Sequence, residues 1–440
     1  MKELPAIVID ASKCTARLAC VRVCPTEAIR VRKGKLTVKP ELCIDCGDCI
    51  VACPEGAIQP RTDPFNSIEA YKFKIAIVSP SLFGQFPSTI SPVDIVEGLL
   101  AIGFDAVYDL SIESELFNKA IQDYLAEYDG PRPVISSMCP VVVRLIQVSY
   151  PDMVDQVIPL QPPREIAGRE AKKYFSMKLK IPESDIGAIY VSPCPAKMAS
   201  IKQPAEGARS HLDMAIGISD IYNPLLHAIM KFKKPKGPDQ SSLPDNALKS
   251  RLVLSLAMTG GQSKALQQEH SISVAQLPNI IHVIEDIEKG KIRNVDFLEC
   301  RACTGGCVGG PLTVDNRFVA RSKLQDIIDR IGRERGSVED EIESRYVKGD
   351  YFLVQPLKPR PVSAGSGTIF EQIERVKVRE EIIKMLPGID CSLCGAPTCA
   401  AFANDIANGE AESADCVLLS PERIKKLRRL YKIETPENHM

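Results

Sequence analysis

Sixteen cysteines in a chain of 440 residues fall into tight sets, and that spacing limits what the chain can fold into. Three stand at positions 14, 20 and 24, four at 43, 46, 49 and 53, and four at 391, 394, 399 and 416. Cys139, Cys194, Cys303 and Cys307 are spread through the middle, and only Cys300 is left over. A disulfide framework suits small secreted domains, whereas grouped thiols in a reducing compartment mean metal. The start MKELPAIVIDASKC lacks the pattern of a secretory signal, and no run of about 18 apolar residues is present to span a bilayer. Lys plus Arg, 55, balances Asp plus Glu, 56, to a net charge of −1, which leaves no electrostatic footprint for nucleic acid or an anionic membrane. The expectation is a cytoplasmic metalloprotein with neither as partner.

The chain divides by pattern. Residues 1–65 hold an internal repeat, CTARLACVRVCPTEAI answered by CIDCGDCIVACPEGAI, too short to keep a core without metal. Across 70–355, FKIAIVSP, PVISSMCP, GAIYVSPCP, RLVLSLAM and NVDFLEC read as buried strands. Between them SPVDIVEGLLAIG, capped by Ser91, and SELFNKAIQDYLAEY read as amphipathic helices. Strands alternating with helices predict an α/β core with mainly parallel sheets in two lobes. Residues 356–375, opening PLKPRPVSAGSG, read as a linker, and 376–440 as a small helical module. The fold class is therefore α/β (α+β overall).

CIDCGDCIVACP has the C-x2-C-x2-C-x3-C-P spacing of bacterial ferredoxins, in which three close thiolates grip one cube and the fourth reaches the other. That assigns Cys43, Cys46 and Cys49 to one 4Fe–4S cluster with Cys24 as distant ligand; zinc would ask for only four ligands in two pairs. The first run has Arg17 at its second ligand position, leaving Cys14, Cys20 and Cys53. Three thiolates suit a three-iron cluster or a cube with one non-thiolate ligand, or the cluster is absent. A modified or labile cluster is the expectation.

In the middle, ISSMCP, YVSPCPAK and DFLECRACTGGCVGG each end an apolar strand in cysteine-bearing turns, and such ends converge in open α/β sheets. Gly305, Gly306, Gly309 and Gly310 are expected to let backbone approach a bulky inorganic group. SMCP, SPCPAK and CTGGCVGG resemble, in order, the three signature segments of FeFe-hydrogenases, and VSPSLFGQF and GLLAIGFDAVYDLS resemble their active-site domain. The resemblance implies that Cys139, Cys194, Cys303 and Cys307 bind the H-cluster cube, with Cys307 bridging to a diiron centre bearing carbonyl, cyanide and azadithiolate ligands. It implies that Lys197 donates to one cyanide and that Pro80 and Ser81 line the other.

This sequence departs from the fast enzymes. The cysteine that relays protons before the first cube ligand is Met138 here, and the relay glutamate three residues after the lysine is Ser200. Two methionines near the diiron centre correspond to Ser192 and Arg301. Glu299 or Cys300 would offer a substitute relay, and Cys300 serves equally well as buried filler. The profile resembles the sensory branch: slow H2 ⇌ 2H⁺ + 2e⁻ used to report hydrogen. Its implied partners are H2, protons, a ferredoxin or another hydrogenase, a kinase or phosphatase, and the H-cluster maturation enzymes, in an anaerobic host. The alternatives are a ferredoxin-linked metabolic hydrogenase, or an iron–sulfur assembly or electron-transfer protein without H2 chemistry.

At the far end, DCSLCGAPTC with Cys416 suits a 4Fe–4S cube at a helix entrance held by Cys391, Cys394, Cys399 and Cys416, with AAFANDIA as that helix. Zinc is the alternative. SPERIKKLRRLY reads as a basic helix beginning at Ser420, its charges a solvated face or a docking surface.

Overall fold

The computed structural model describes residues 5–232, 251–330, 351–360 and 368–430. One compact unit spans Arg61–Pro359, and a second combines Met1–Pro60 with Arg360–Met440. Of the linker expected over 356–375, residues 361–367 lie outside those described.

The terminal unit contains strands β1 (Ile7–Ile9), β2 (Ile29–Arg32), β3 (Lys35–Val38) and β4 (Ile58–Pro60). β1 pairs antiparallel with β4, and β2 with β3 across a turn whose Lys33 and Gly34 both have positive φ. Such turns match the strand twist. The sequence repeat is also a backbone repeat. Leu18 and Gly47, at equivalent positions before helices Ala19–Arg22 and Asp48–Ala52, hold φ of 60° and 82° with the same ψ of 5°. For a leucine that conformation costs about 1 kcal/mol. Ala28 N–H and Ala57 N–H then donate to Cys24 Sγ and Cys53 Sγ at 3.2 and 3.3 Å.

The C-terminal part of this unit packs helices Ile369–Met385, Cys399–Ala407 and Pro421–Leu430 around Ile382, Leu386, Phe402, Ile406 and Leu427. Thr368 caps the first with a reciprocal bond to Glu371, and Thr398 caps the second. Ser420 Oγ accepts from Arg423 N–H at 3.3 Å, so the basic helix starts where the sequence puts it; its expected end at Tyr431 lies outside the described residues. Val31 N–H bonds Gly395 O at 2.8 Å, which ties β2 to the loop between Cys394 and Cys399.

The larger unit has strands β5 (Phe73–Val78), β6 (Ala106–Tyr108), β7 (Val134–Ile135), β8 (Ile186–Ser192), β9 (Met214–Gly217), β10 (Ser271–Ala275) and β11 (Phe297–Arg301). One sheet runs β6-β5-β8-β9 and the other β10-β11-β7, every pairing parallel. β8 is buried along its whole length, which is why it reads as an unbroken apolar run. Each sheet has its own core, one around Ile75, Ile77, Ile189 and Ile216, the other around Phe117, Ile121, Val134 and Phe297. Ser91 and Asp94 form a reciprocal cap on helix Pro92–Ala101, and SELFNKAIQDYLAEY lies within helix Ser111–Glu127 and the tyrosine that closes it.

One expectation fails. RLVLSLAM is the short helix Arg251–Ser255 and the turn after it, with Val253 and Leu254 buried. A short apolar run cannot be told from a buried helical turn by periodicity alone. No helix among the described residues is long and apolar enough to cross a membrane.

Candidate functional site

The two sheets of the larger unit direct cysteines from their carboxyl ends. Cys139 follows β7 and caps helix Pro140–Ser149, and Cys194 follows β8 and caps helix Pro195–Lys202. Each is followed by a proline in the first helical turn, where the missing N–H costs nothing. Ser192 fixes the second of these, its Oγ accepting from Cys194 N–H at 3.2 Å and donating to Cys194 O at 2.8 Å. Cys303 and Cys307 lie beyond β11 on one loop, closed by Gly306 N–H to Cys303 O at 3.1 Å. None of the sixteen cysteines is joined in a disulfide.

Lys197, one turn into its helix, is buried, and its Nζ donates to Cys307 Sγ and to Tyr190 OH, both at 3.4 Å. Burial opposes the ammonium, yet the Cys307 thiolate holds its pKa above the ordinary lysine value. Burial likewise opposes the Cys307 thiolate, but Lys197 and Arg301 outweigh it and hold that thiol below its usual range. Cys194 shows the balance tipping the other way. Burial pushes its thiol up to about 11 against the pull of Lys197, with Cys307 and Cys139 adding to the rise. The Cys307 and Cys194 sulfurs thus both act on the Lys197 ammonium.

The remaining expected residues surround this point. Pro80 and Ser81 begin the turn Pro80–Gly84, which packs against the turn Cys307–Gly309. Met138 is half-buried, packs against the core of the smaller sheet and carries no exchangeable proton. Ser200 Oγ donates to Lys197 O at 2.7 Å and accepts from Arg164 Nη2 at 3.1 Å. Cys300 is fully buried, and burial with nearby Cys139 raises its pKa. Glu299 is fully buried too, its carboxylate accepting from Gly260 N–H, Ser263 N–H, Ser273 Oγ and Arg301 Nε.

Two positions went unnoticed in the sequence. Buried Gln85 donates to Ser81 O at 3.1 Å and accepts from Val314 and Asp315 N–H at 2.9 and 3.0 Å, tying the Pro80–Gly84 turn to the segment that follows the Cys307 loop. Arg164, in PPRE, enters from the start of helix Pro163–Leu179. Gln85 lies within VSPSLFGQF but is not singled out there, and Arg164 lies in no segment that resembles the family. Three of the four loop glycines are also required by the protein's own backbone. A Cβ at Gly306, Gly309 or Gly310 would meet Ala257 O at 2.7 Å, Thr304 O at 2.2 Å or Pro193 O at 2.3 Å. They allow the loop to pack on protein backbone.

In the terminal unit Cys24, Cys43, Cys46 and Cys49 line one recess of about 360 Å³. Cys391, Cys394, Cys399 and Cys416 line another of about 330 Å³. Burial pushes the Cys20 thiol up to about 11, with Cys53 and then Cys14 adding to the rise. Arg17 turns outward to an exposed ion pair with Glu55 at 3.0 Å.

The family model for the C-terminal domain of the iron-only hydrogenase large subunit matches residues 72–276 and 262–311. This chain belongs to that family. A 4Fe–4S dicluster model matches residues 6–54, and an Fe–S cluster model 386–418. Among curated hydrogenases, the NADP-reducing hydrogenase subunit HndD of Solidesulfovibrio fructosivorans is 23% identical over 70% of this chain. Iron hydrogenase 1 of Clostridium pasteurianum is 22% identical over 69%. The chain spans 65% and 64% of their lengths. The cytosolic Fe-S cluster assembly factor nar1 of Aspergillus terreus is 27% identical over 60% of this chain and 45% of its own length. The solved apo FeFe-hydrogenase HydA1 of Chlamydomonas reinhardtii aligns over 67% of this chain and 93% of its own at 18% identity, TM-score 0.48.

The site suits the cluster that this hydrogenase family implies. Arg301 Nη2 and Arg164 Nε are buried without hydrogen-bond partners. Together with the Lys197 ammonium they suit a bulky anionic group that brings its own acceptors.

Proposed function

We propose that this chain is an FeFe-hydrogenase that interconverts H2 with two protons and two electrons slowly, in a regulatory role. The observation that carries the reading is the buried Lys197 ammonium 3.4 Å from Cys307 Sγ, with Cys194 acting on the same charge. Cys139, Cys194, Cys303 and Cys307 would hold the H-cluster cube, Cys307 would link it to the diiron centre, and Lys197 would donate to a cyanide. When bound, the H-cluster supplies the open iron and the basic amine that split H2. The chain's own residues position it. Cys139 and Cys194 stand at helix starts, Gln85 ties the Pro80–Ser81 turn to the backbone at Val314 and Asp315, and Lys197 balances negative charge. Met138 and Ser200 offer no acid where fast relatives relay protons. Positioned proton transfer is worth roughly 10²–10⁴-fold, so turnover is low and a hydrogen-dependent change of state is what the site delivers.

In the terminal unit Cys24, Cys43, Cys46 and Cys49 would hold one 4Fe–4S cluster, and Cys391, Cys394, Cys399 and Cys416 another. Cys14, Cys20 and Cys53 would hold a three-iron or otherwise modified cluster. Electrons would leave through these to a ferredoxin-type partner in the cytoplasm of an anaerobic host, with a kinase or phosphatase receiving the signal and maturation enzymes supplying the diiron centre.

The match to the assembly factor, with the missing relay acids, favours a second reading: an iron–sulfur assembly or electron-transfer protein lacking the diiron centre. Infrared spectroscopy after anaerobic maturation separates them. Carbonyl and cyanide stretching bands are expected; a chain with full cube iron and no such bands would overturn the hydrogenase reading. The regulatory role is tested by hydrogen-dependent binding to a kinase or phosphatase.

A further inference from the structure

Three cations are buried around Cys307, and Lys197 is only one of them. Arg301 ends β11 two residues before Cys303, and Arg164 lies in the first turn of its helix. Arg301 is 2% exposed, Arg164 and Lys197 6% each. Arg164 Nη2 donates to Ser200 Oγ, which donates in turn to the backbone of Lys197, and Arg301 closes the strand that leads into the Cys303–Cys307 loop.

Their protein partners do not satisfy them. Arg301 Nε donates to Glu299 at 3.2 Å, but that carboxylate already takes three further donors. Arg164 Nη2 reaches Ser200 Oγ, while the Glu165 carboxylate stays 3.8 Å from Arg164 Nε, beyond hydrogen-bond reach. Arg301 Nη2 and Arg164 Nε are left buried and unbonded. Charged donors are costly to leave so, which marks acceptors supplied by whatever occupies the site.

We propose that Arg301 and Arg164 are positioning residues that hydrogen-bond the anionic, non-thiolate face of the group held at Cys307 and hold its cube at a higher reduction potential than Lys197 alone would. A fixed positive charge in a poorly screened site favours the form carrying one more electron. The identity of the group rests on the hydrogenase reading; the cube alone suffices for the test.

The full chain is loaded anaerobically with iron and sulfide and titrated by electron paramagnetic resonance. The central cube is the signal lost in Cys194→Ser. Arg301→Gln and Arg164→Gln should each shift its midpoint potential downward, and Arg301→Lys should stay close to the parent. Unshifted potentials in both glutamine variants, at parental iron content, would overturn the proposal. If Arg301→Gln fails to load iron, Arg164→Gln decides alone, because it strands no fully buried carboxylate. Absence of carbonyl and cyanide bands from the matured parent would defeat the hydrogenase reading and leave the potential shift to judge the arginines.

Discussion

Arg30 and Asp405 lie 375 residues apart and meet in a buried two-point ion pair, Nε to Oδ2 at 2.5 Å and Nη2 to Oδ1 at 3.1 Å. Arg32 and Lys39 reach the same carboxylate at 2.7 and 2.9 Å, and Asp405 is 1% exposed. One acid of the C-terminal module thus anchors three bases of the N-terminal one. Removing one partner from such a set leaves buried charge uncompensated, at a cost of about 3–5 kcal/mol. Asp405→Asn should destabilise the terminal unit by that order, read as earlier thermal unfolding and faster proteolysis between the modules. Parental stability would show that the three bases are hydrated without it.

The same junction depends on one glycine. Gly395 has φ +77°, and a Cβ there would stand 1.7 Å from Val31 O. Gly395→Ala should force the loop off β2 and empty the site of Cys391, Cys394, Cys399 and Cys416, a loss of about four irons per chain. Iron analysis checks this; unchanged content would mean the loop holds its shape without β2.

Lys197→Met should leave the cube in place and abolish stable binding of the diiron centre, because the positive charge nearest Cys307 is gone. The expected record is retained cube absorbance with carbonyl and cyanide bands lost. Bands of full intensity would remove Lys197 from its assigned role.

Met138→Cys restores an acid immediately before Cys139. It should raise hydrogen turnover by about tenfold or more, with Ser200 still limiting the rest of the path. Assayed by gas chromatography at equal infrared band intensity, an unchanged rate would mean that protons travel elsewhere.

Arg17→Cys tests the incomplete set. The backbone there already has the shape of its complete twin, since Leu18 matches Gly47, and Arg17 points outward to Glu55. The substitution should add about one iron and convert a three-iron electron paramagnetic resonance signal of the oxidised protein into that of a reduced cube. A parent with only the irons of its other clusters, and a variant that gains none, would contradict the assignment.

Local pattern carried much of this protein. β5, β8 and β11 are apolar runs ending in turns, and Ser91 announces its helix because the physics of both is confined to neighbours in the chain. Where a run was short, as in RLVLSLAM, burial alone looked the same for helix and strand. β10 escaped notice because Ser271 and Ser273 interrupt its apolar pattern, while its pairing to β11 comes from far along the chain.

Cysteine spacing fixed the inventory of sites, since a thiolate set must be spelled out in residues whatever surrounds it. Spacing also matched Cys24 to the run at Cys43, Cys46 and Cys49, which line one recess together. Three things needed the tertiary structure. They are the meeting of the two end modules at Asp405, the tie that Gln85 makes between Ser81 and the Val314–Asp315 backbone, and the gathering of Lys197, Arg164 and Arg301 about Cys307. Each depends on side chains from distant segments whose charges matter only once burial strips away water. No window of sequence records that condition.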